Sequence, residues 1–207
     1  AIINLLEARI NVLEKSMMNS LSTSLYSDGT GTSGKEVGGL QLIVADAGTG
    51  TVGGINSSTF TFWQNAQTTA TSSAFSVANV QTDMNTIYLS LVRGADSPDL
   101  VMAGTNAYTA FLGSLQAIQR ITSDDMARSG FTSLQYLNSD VVFDSSCSTN
   151  RMYFLNTDYL RLEVAAARDF VPGEAKMSVN QDALVTPLFW SGNLTCSNRA
   201  LQGVIHT

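Results

Sequence analysis

An uninterrupted amphipathic stretch at the start of the chain constrains the fold more than any other feature. Its apolar residues recur at steps of three and four: Ile2, Leu6, Ile10, Leu13, Met17, Leu21 and Leu25. This spacing predicts one helix over Ala1–Tyr26, ended by Asp28-Gly29, with a buried apolar stripe. At 1.5 Å per residue the helix would be about 39 Å long. Because such a helix is too long to hide within a small domain, we expect it to lie along a sheet or an interface.

Burial of this stripe carries a consequence for folding. An unpaired charge in an apolar environment is costly, so Asp in place of Leu13 or Leu21 is expected to impair folding. The pattern begins at once, without an initiator Met. We therefore interpret the sequence as the ordered or trimmed part of a longer polypeptide.

The composition favours a globular protein with a weakly charged surface. Hydrophobic residues make up 44% of the 207 residues, enough for a core, whereas charged residues make up only 14%, against roughly 25% in an average soluble domain. Ser, Thr, Asn and Gln take their place. Such a surface is easily desolvated, which suits a protein that is largely buried against copies of itself.

The charge balance excludes several classes of function. With 11 basic and 17 acidic residues the net charge is −6, and no run of Lys or Arg occurs, so a nucleic-acid-binding groove is not indicated. No apolar stretch approaches the roughly 20 residues of a transmembrane helix, and no signal peptide is visible. Cys147 and Cys196 form no CxxC motif, which favours a reducing compartment.

Beyond the first helix the patterns predict two more helices and several short strands. A helix over Ser76–Arg93, capped by Ser76 and ended by Gly94, would bury Val77, Val80, Met84, Ile87 and Leu91. A second, capped by Asn106, would bury Phe111, Leu112, Leu115 and Ile118. Leu40–Ala45 fits a strand or one buried helical turn. Predicted strands are Thr59–Trp63, Leu100–Ala103, Leu134–Leu137, Val141–Phe143, Arg151–Leu155, Tyr159–Val164 and Leu188–Cys196. Helices and strands mix without regular βαβ alternation, so the predicted class is α+β.

Two glycine-rich stretches match the dinucleotide-binding pattern G-x-G-x-x-G, at Gly29–Gly34 and Gly48–Gly53. A dinucleotide site also needs a helix N-terminus for the pyrophosphate and an acidic residue about 20 positions further on. The second stretch is followed by a non-helical segment, and the next acidic residue is Asp83. We therefore interpret both stretches as turns and predict no cofactor.

Few side chains could carry catalysis or hold a metal. His206 is the only histidine, and Cys147 and Cys196 have no histidine or basic neighbour that would lower their pKa. Asp124-Asp125 and the pair Asp140/Asp144 could be read as metal-binding or acid–base carboxylates. We interpret the first pair as a polar loop or helix start and the second as strand ends. The sequence thus predicts no catalytic, cofactor-binding or metal-binding residue, and no enzyme.

An ordered series of short segments, together with the first helix, carries a resemblance to a known family. The segments are Lys35–Leu40, Gly53–Asn56, Phe62–Asn65, Pro98–Met102, Thr105–Tyr108, Val141–Asp144, Met152–Thr157 and Gly192–Gly203. In this order they resemble tailed-bacteriophage major capsid proteins, whose fold is shared with herpesvirus capsid floors and encapsulins. None of the segments is a catalytic signature, and the resemblance covers nearly the whole chain.

The resemblance implies both an architecture and a function. The first helix, residues 1–26, would be the spine helix of a discontinuous β-sheet peripheral domain (residues 1–38 and 183–207), and residues 39–182 would form a mixed α/β axial domain. The chain would be a structural subunit that self-assembles through pentamers and hexamers into an icosahedral phage or prophage shell around double-stranded DNA. It would lie in the virion capsid, and in the host cytoplasm before assembly. Scaffolding, portal and decoration proteins are the implied further partners, with no membrane and no sequence-specific nucleic acid.

The sequence departs from the family's pattern at its start, and alternatives to a phage shell stay open. The N-terminal arm and extended hairpin loop that would precede the spine helix are absent from these residues, so we expect the 207 residues alone to form monomers or small oligomers. An encapsulin-type nanocompartment subunit would share the same fold. A nucleotide-binding enzyme using the glycine-rich turns is a further alternative of a different class.

Overall fold

The computed structural model describes residues 2–116, 134–177, 179 and 184–207. Its helices are α1 (Ile2–Ser24), the single turns α2 (Gly31–Gly34) and α3 (Leu40–Ile43), α4 (Val80–Leu91) and α5 (Thr105–Gln116). Ile118 and Asp124-Asp125, named above, lie outside the described residues. The expected α+β class is confirmed by these helices together with a mixed sheet.

The strands are numbered in chain order and are mostly short. They are β1 (Thr51–Val52), β2 (Ile55–Asn56), β3 (Ala66–Thr69), β4 (Leu100–Ala103), β5 (Leu134–Tyr136), β6 (Ser139–Phe143), β7 (Arg151–Leu155), β8 (Leu160–Val164), β9 (Val171–Pro172), β10 (Lys176–Met177), β11 (Leu184–Val185), β12 (Leu188–Phe189), β13 (Gly192–Cys196) and β14 (Gly203–His206). Six of them form one sheet in the order β3-β14-β7-β4-β6-β5. Strand β14 is parallel to β3, and β4 is parallel to β6, while the other neighbours are antiparallel.

Both faces of the central sheet are covered, and the alternation of side chains along a strand explains how. On β7, Met152 and Phe154 pack with helices α4 and α5 in one buried cluster. Their neighbour Tyr153 belongs to a second cluster on the opposite face, with Tyr26 at the end of α1. The sheet therefore forms the centre of a body that has two apolar cores.

Helix α4 buries most of the face that the sequence predicts. Met84, Ile87 and Leu91 are fully buried, but Val77 is 51% exposed. The predictions that Val77 is buried and that Ser76 caps the helix are wrong, because the helix begins only at Val80. The N-cap residue is Asn79, whose side chain makes no capping hydrogen bond.

Two ambiguous segments resolve into turns. Leu40–Ile43 is a helical turn, the second of the two alternatives considered. The predicted strand Thr59–Trp63 is wrong, because Thr61–Trp63 is a 3-10 turn. The indole Nε1 of Trp63 donates to the carbonyl of Val52 at 3.2 Å, which folds the segment back onto the β1–β2 hairpin instead of leaving it extended.

The described residues between 160 and 196 form three antiparallel strand pairs outside the central sheet. Strand β8 pairs with β13, β9 with β12, and β10 with β11. We call the described residues of this segment the ribbon. The predicted strand Tyr159–Val164 is confirmed as β8, and Leu188–Cys196 divides into β12 and β13.

The last strand, Gly203–His206, lies between β3 and β7 in the central sheet. Val204 and Ile205 are both fully buried, one on each face of the sheet. The division into a peripheral domain (residues 1–38 and 183–207) and an axial domain (residues 39–182) stays a prediction.

Candidate self-association surfaces

The apolar stripe of α1 is exposed in the first half of its described length and half-buried towards the body. The helix itself confirms the sequence prediction, but the side chains of Ile10 and Leu13 are 48% and 47% exposed, and that of the neighbouring Val12 is 67% exposed. Met17, Leu21 and Leu25 are half-buried. The expectation that Leu13 is buried is therefore wrong for the isolated chain. An amphipathic helix that packs only by its end presents its apolar face to whatever binds it.

The end of α1 is fixed firmly to the body. The Tyr26 hydroxyl donates to Asp144 Oδ2 at 2.7 Å, and its ring lies 6.2 Å from that of Tyr153. The amide of Leu40 donates to the carbonyl of Leu25 at 2.7 Å. Burial, followed by the bond to Asp144, raises the pKa of Tyr26 above its ordinary value, so the phenol stays a neutral donor. The helix is thus held at one end, and its exposed face has a defined direction.

The ribbon exposes apolar side chains in cross-strand pairs. Met177 faces Leu184 across β10 and β11, and both are 72% exposed. Val171 faces Phe189 across β9 and β12, at 39% and 43% exposed. A two-stranded ribbon is marginal in water without a covering layer, so these pairs indicate a surface that another molecule covers.

An apolar cavity of about 220 Å³ lies where α1, the sheet and the base of the ribbon meet. Its apolar lining includes Leu25, Leu100, Leu155, Leu160, Leu162 and Leu194. The cavity therefore lies at the bases of the helix and of the ribbon, where both meet the body.

The cysteines and the histidine lie apart from one another and have no catalytic surroundings. Burial raises the pKa of the Cys147 thiol to about 12, and burial also raises the pKa of Cys196. Both thiols are protonated at neutral pH and are poor nucleophiles. His206 Nε2 lies 3.4 Å from Gln67 Oε1, at the end of β14. Across residues 2–116, 134–177, 179 and 184–207, no group of three or more metal-ligating side chains occurs.

The carboxylates singled out in the sequence have structural partners. Asp140 accepts from Gln135 Nε2 at 3.3 Å on the neighbouring strand β5. Asp144 accepts from Tyr26 and from the backbone amide of Ser146 at 2.8 Å. Asp140 and Asp144 flank Val141–Phe143, Asp140 as the second residue of β6 and Asp144 directly after the strand. Asp144 also orders the local backbone through its bond from Ser146.

The two glycine-rich stretches lie in turns. Gly53 and Gly54 have positive φ angles of 61° and 79° and connect β1 to β2 as a tight hairpin turn. In the first stretch Thr32 and Ser33 are left-handed. A dinucleotide phosphate requires a helix N-terminus directly after the glycines. Neither stretch leads directly into a helix longer than a single turn.

One residue with a large structural role, Arg199, was not predicted. Its side chain is fully buried, and its guanidinium donates to the carbonyls of Ile43, Thr49 (3.2 Å) and Trp63 (3.4 Å) and to Ser57 Oγ (3.0 Å). Arg199 therefore fastens the loop after α3 to the last turn of the chain. A signal was present in the sequence, since Arg199 is the only Lys, Arg, Asp or Glu between Asp182 and the end.

Comparison with known proteins identifies the fold. No protein-family model matches the chain, and no curated protein matches it. Among solved structures, a subunit in the capsid asymmetric unit of cyanophage A-1(L) matches with a TM-score of 0.65 and 16% identity, over 94% of this chain and 69% of that one. A virus-like particle from Pyrococcus furiosus matches with a TM-score of 0.41 and 10% identity, over 61% and 48%, which is too distant to carry an argument. The chain has a phage major capsid-type fold.

Within the part of the chain that the structure describes, no helix is both long and apolar enough to cross a bilayer.

Proposed function

We propose that this chain is the shell-forming part of a major capsid subunit. It self-assembles through pentamers and hexamers into an icosahedral phage or prophage shell that encloses double-stranded DNA. The observation that carries the proposal is the cyanophage capsid fold over 94% of the chain, joined to apolar surfaces that the chain leaves uncovered. The helix face and the ribbon are fixed at their bases, as contacts between rigid subunits require.

The chemistry of such a subunit is that of association alone. Many modest contacts are multiplied by closed symmetry, so that no single interface needs high affinity. The net charge of −6 keeps the subunit from gripping packaged DNA, because phosphate binding needs clustered basic groups. In this proposal the protein is no enzyme and has no cofactor. Scaffolding, portal and decoration proteins bind the assembling shell, first in the host cytoplasm and finally in the virion.

Electron microscopy and light scattering on the full-length gene product, expressed alone, test the proposal. Closed particles of megadalton mass are expected. Asp in place of Met177 and Leu184 should abolish them by placing charge on the ribbon, while Leu89→Asp, at an equally exposed site on α4 (72%), should have little effect. A full-length protein that stays monomeric at high concentration would contradict the proposal.

An encapsulin-type nanocompartment is the second candidate, because the same fold serves both. The two differ in contents: a phage shell encloses DNA, and a nanocompartment encloses an enzyme. Isolating the particles from their native source and analysing them for DNA and for co-purified protein distinguishes the two. A nucleotide-binding enzyme is disfavoured by the turn geometry of Gly48–Gly54, and a thermal shift with NAD or ATP would be needed to support it.

A further inference from the structure

We propose that residues 47–82 form a contact edge for a second copy of this chain. In this contact the exposed Phe60–Phe62 pair of one copy occupies the pocket beside Phe75 and Val77 of another. The inference rests on the proposed function, since it names one of the contacts between subunits. It concerns a surface separate from α1 and the ribbon.

The first observation is a complete absence of charge. Between Asp46 and Asp83 the sequence contains no Asp, Glu, Lys, Arg or His. Charged side chains resist desolvation, and the centres of protein interfaces are depleted in them. The segment includes strand β3 and the loops at both of its ends, so an entire edge of the body is free of charge.

The second observation is that β3, a strand of four residues, lies at the edge of the sheet and carries no charged side chain and no proline. It is the terminal strand of the six-stranded sheet. The amides of Ala66 and Ala70 donate to β14 or its flanking residue, so the backbone groups of Gln67 and Thr69 face away from the sheet. Proteins that stay monomeric protect such edges with charge, proline or bulges. The sequence of β3, Ala-Gln-Thr-Thr, has no charge and no proline.

The third observation is an exposed aromatic projection at the start of this edge. Phe60 and Phe62 are 50% and 68% exposed, and their rings pack edge to face with centroids 6.0 Å apart. The loop that bears them is held from below, because Arg199 donates to Ser57 Oγ and to the carbonyl of Trp63. A projection ordered in advance loses little entropy on binding, and aromatic anchors of this kind dominate interface energetics.

A pocket of about 570 Å³ lies at the other end of the same strand. It is lined by uncharged side chains that include Phe75, Val77, Asn106, Thr109 and Ala110. Ser76, also in the lining, has a buried hydroxyl with no hydrogen-bond partner among the described residues. Strand β3, about 13 Å long at 3.3 Å per residue, lies between the projection and the pocket along the chain. The loop that bears Phe60 and Phe62 is fastened by Arg199 at the far end of β3, so it cannot fill the pocket of its own chain.

These observations together favour a second copy over an unrelated partner. The projection and the recess are both uncharged, are both carried by one chain and lie on one edge. A subunit with two complementary surfaces of this kind binds copies of itself.

Disulfide cross-linking between copies tests the contact. In the full-length protein with Cys196→Ala, the double variant Phe62→Cys, Val77→Cys should give oxidised species of two or more chains on non-reducing gels. Leu89→Cys with Val77→Cys is the matched control and should stay uncross-linked. If the parent protein forms particles and the Phe62/Val77 variant gives no cross-link above this control, the inference fails while the proposed function stands. If no association of any kind is seen, the proposed function fails.

A second variant gives an energetic readout. Phe60→Ser with Phe62→Ser should raise the protein concentration needed for half-maximal assembly at least tenfold, because it removes the projection. Both side chains are largely exposed, so thermal unfolding should be unchanged. Leu89→Ser serves as the control for loss of an exposed apolar side chain. If the double serine variant assembles at the same protein concentration as the parent, the inference is wrong, and the edge would then be a contact for a different protein.

Discussion

The body and the projecting parts of this molecule use similar apolar residues in opposite ways. In the body, Val101, Met152 and Phe154 are fully buried between the sheet and two helices. In the projecting parts, Val12 of α1 and Met177 of the ribbon are 67% and 72% exposed. The body completes its own core, whereas α1 and the ribbon leave apolar side chains exposed among the described residues. Under the proposed function, folding stability and association therefore depend on different regions.

This difference between the body and the projecting parts follows from how much of each element is exposed to solvent. A strand in the middle of the sheet has neighbours on both edges and apolar layers on both faces, so each side chain is buried once the chain folds. Helix α1 satisfies its backbone hydrogen bonds internally and can extend from the body with its side chains uncovered. Hence substitutions in the body should change the free energy of unfolding, and substitutions in the projecting parts should change assembly.

The largest expected effect is on the body. Phe154→Ala should lower the free energy of unfolding by about 3–5 kcal/mol, because it opens a cavity in a core with no room to collapse. Met177→Ala, which also truncates a large apolar side chain, should change it by less than about 0.5 kcal/mol. Urea denaturation followed by circular dichroism measures both. Equal destabilisation by the two substitutions would show that the ribbon is part of the folding core, and that the body and the ribbon do not differ in their contribution to folding stability.

Alkaline pH should weaken the body progressively. Burial raises the pKa of Cys147 to about 12 from an ordinary value of 9.0, and raises that of Tyr136 to about 12 from 10.0. The folded state therefore keeps protons that the unfolded state releases, so stability is fully present below about pH 9 and is lost as pH rises from 9 to 12. Urea midpoints at several pH values measure this loss.

A control substitution tests whether the Cys147 thiol contributes to this pH dependence. Cys147→Ala removes the thiol, so the decline around pH 9 should become shallower, because at that pH the thiol of the unfolded chain is titrating while Tyr136, with an ordinary pKa of 10.0, is still mostly protonated there. The same slope in parent and variant would show that the thiol is not the group responsible.

The sequence predicted the elements of the body better than their surroundings. Strands Leu100–Ala103 and Arg151–Leu155 appear with the predicted bounds, because a strand buried on both faces is a continuous apolar run bounded by polar turns. Thr59–Trp63 alternates like a strand but folds as a turn, since the bond from Trp63 to Val52 and the anchoring by Arg199 are tertiary contacts. Such tertiary contacts cannot be predicted from the residue propensities of the segment alone.

The candidate surfaces were partly accessible from the sequence. The stripe on α1 was visible, but periodicity shows that a helix has an apolar face and not whether its own chain covers it. The charge-free segment from Ala47 to Thr82 is also plain in the sequence. Its position on the sheet edge could not be read there, because β3 becomes the terminal strand only through the parallel pairing with β14 at the far end of the chain.

The smallest expected effect on folding is at Leu13, and it is the sharpest test of the comparison. The sequence predicts that Leu13→Asp impairs folding, whereas a side chain that is 47% exposed on a projecting helix predicts a change in the free energy of unfolding within about 0.5 kcal/mol. Assembly should respond instead, because the charge would have to be buried without a partner at an interface. Light scattering on the full-length variant should show loss of large particles while its urea midpoint stays that of the parent. Asn11→Asp, at an exposed polar position on the same helix, controls for charge alone. A clear shift in the urea midpoint of Leu13→Asp but not of Asn11→Asp would place α1 within the folding core and make the sequence-based expectation the correct one.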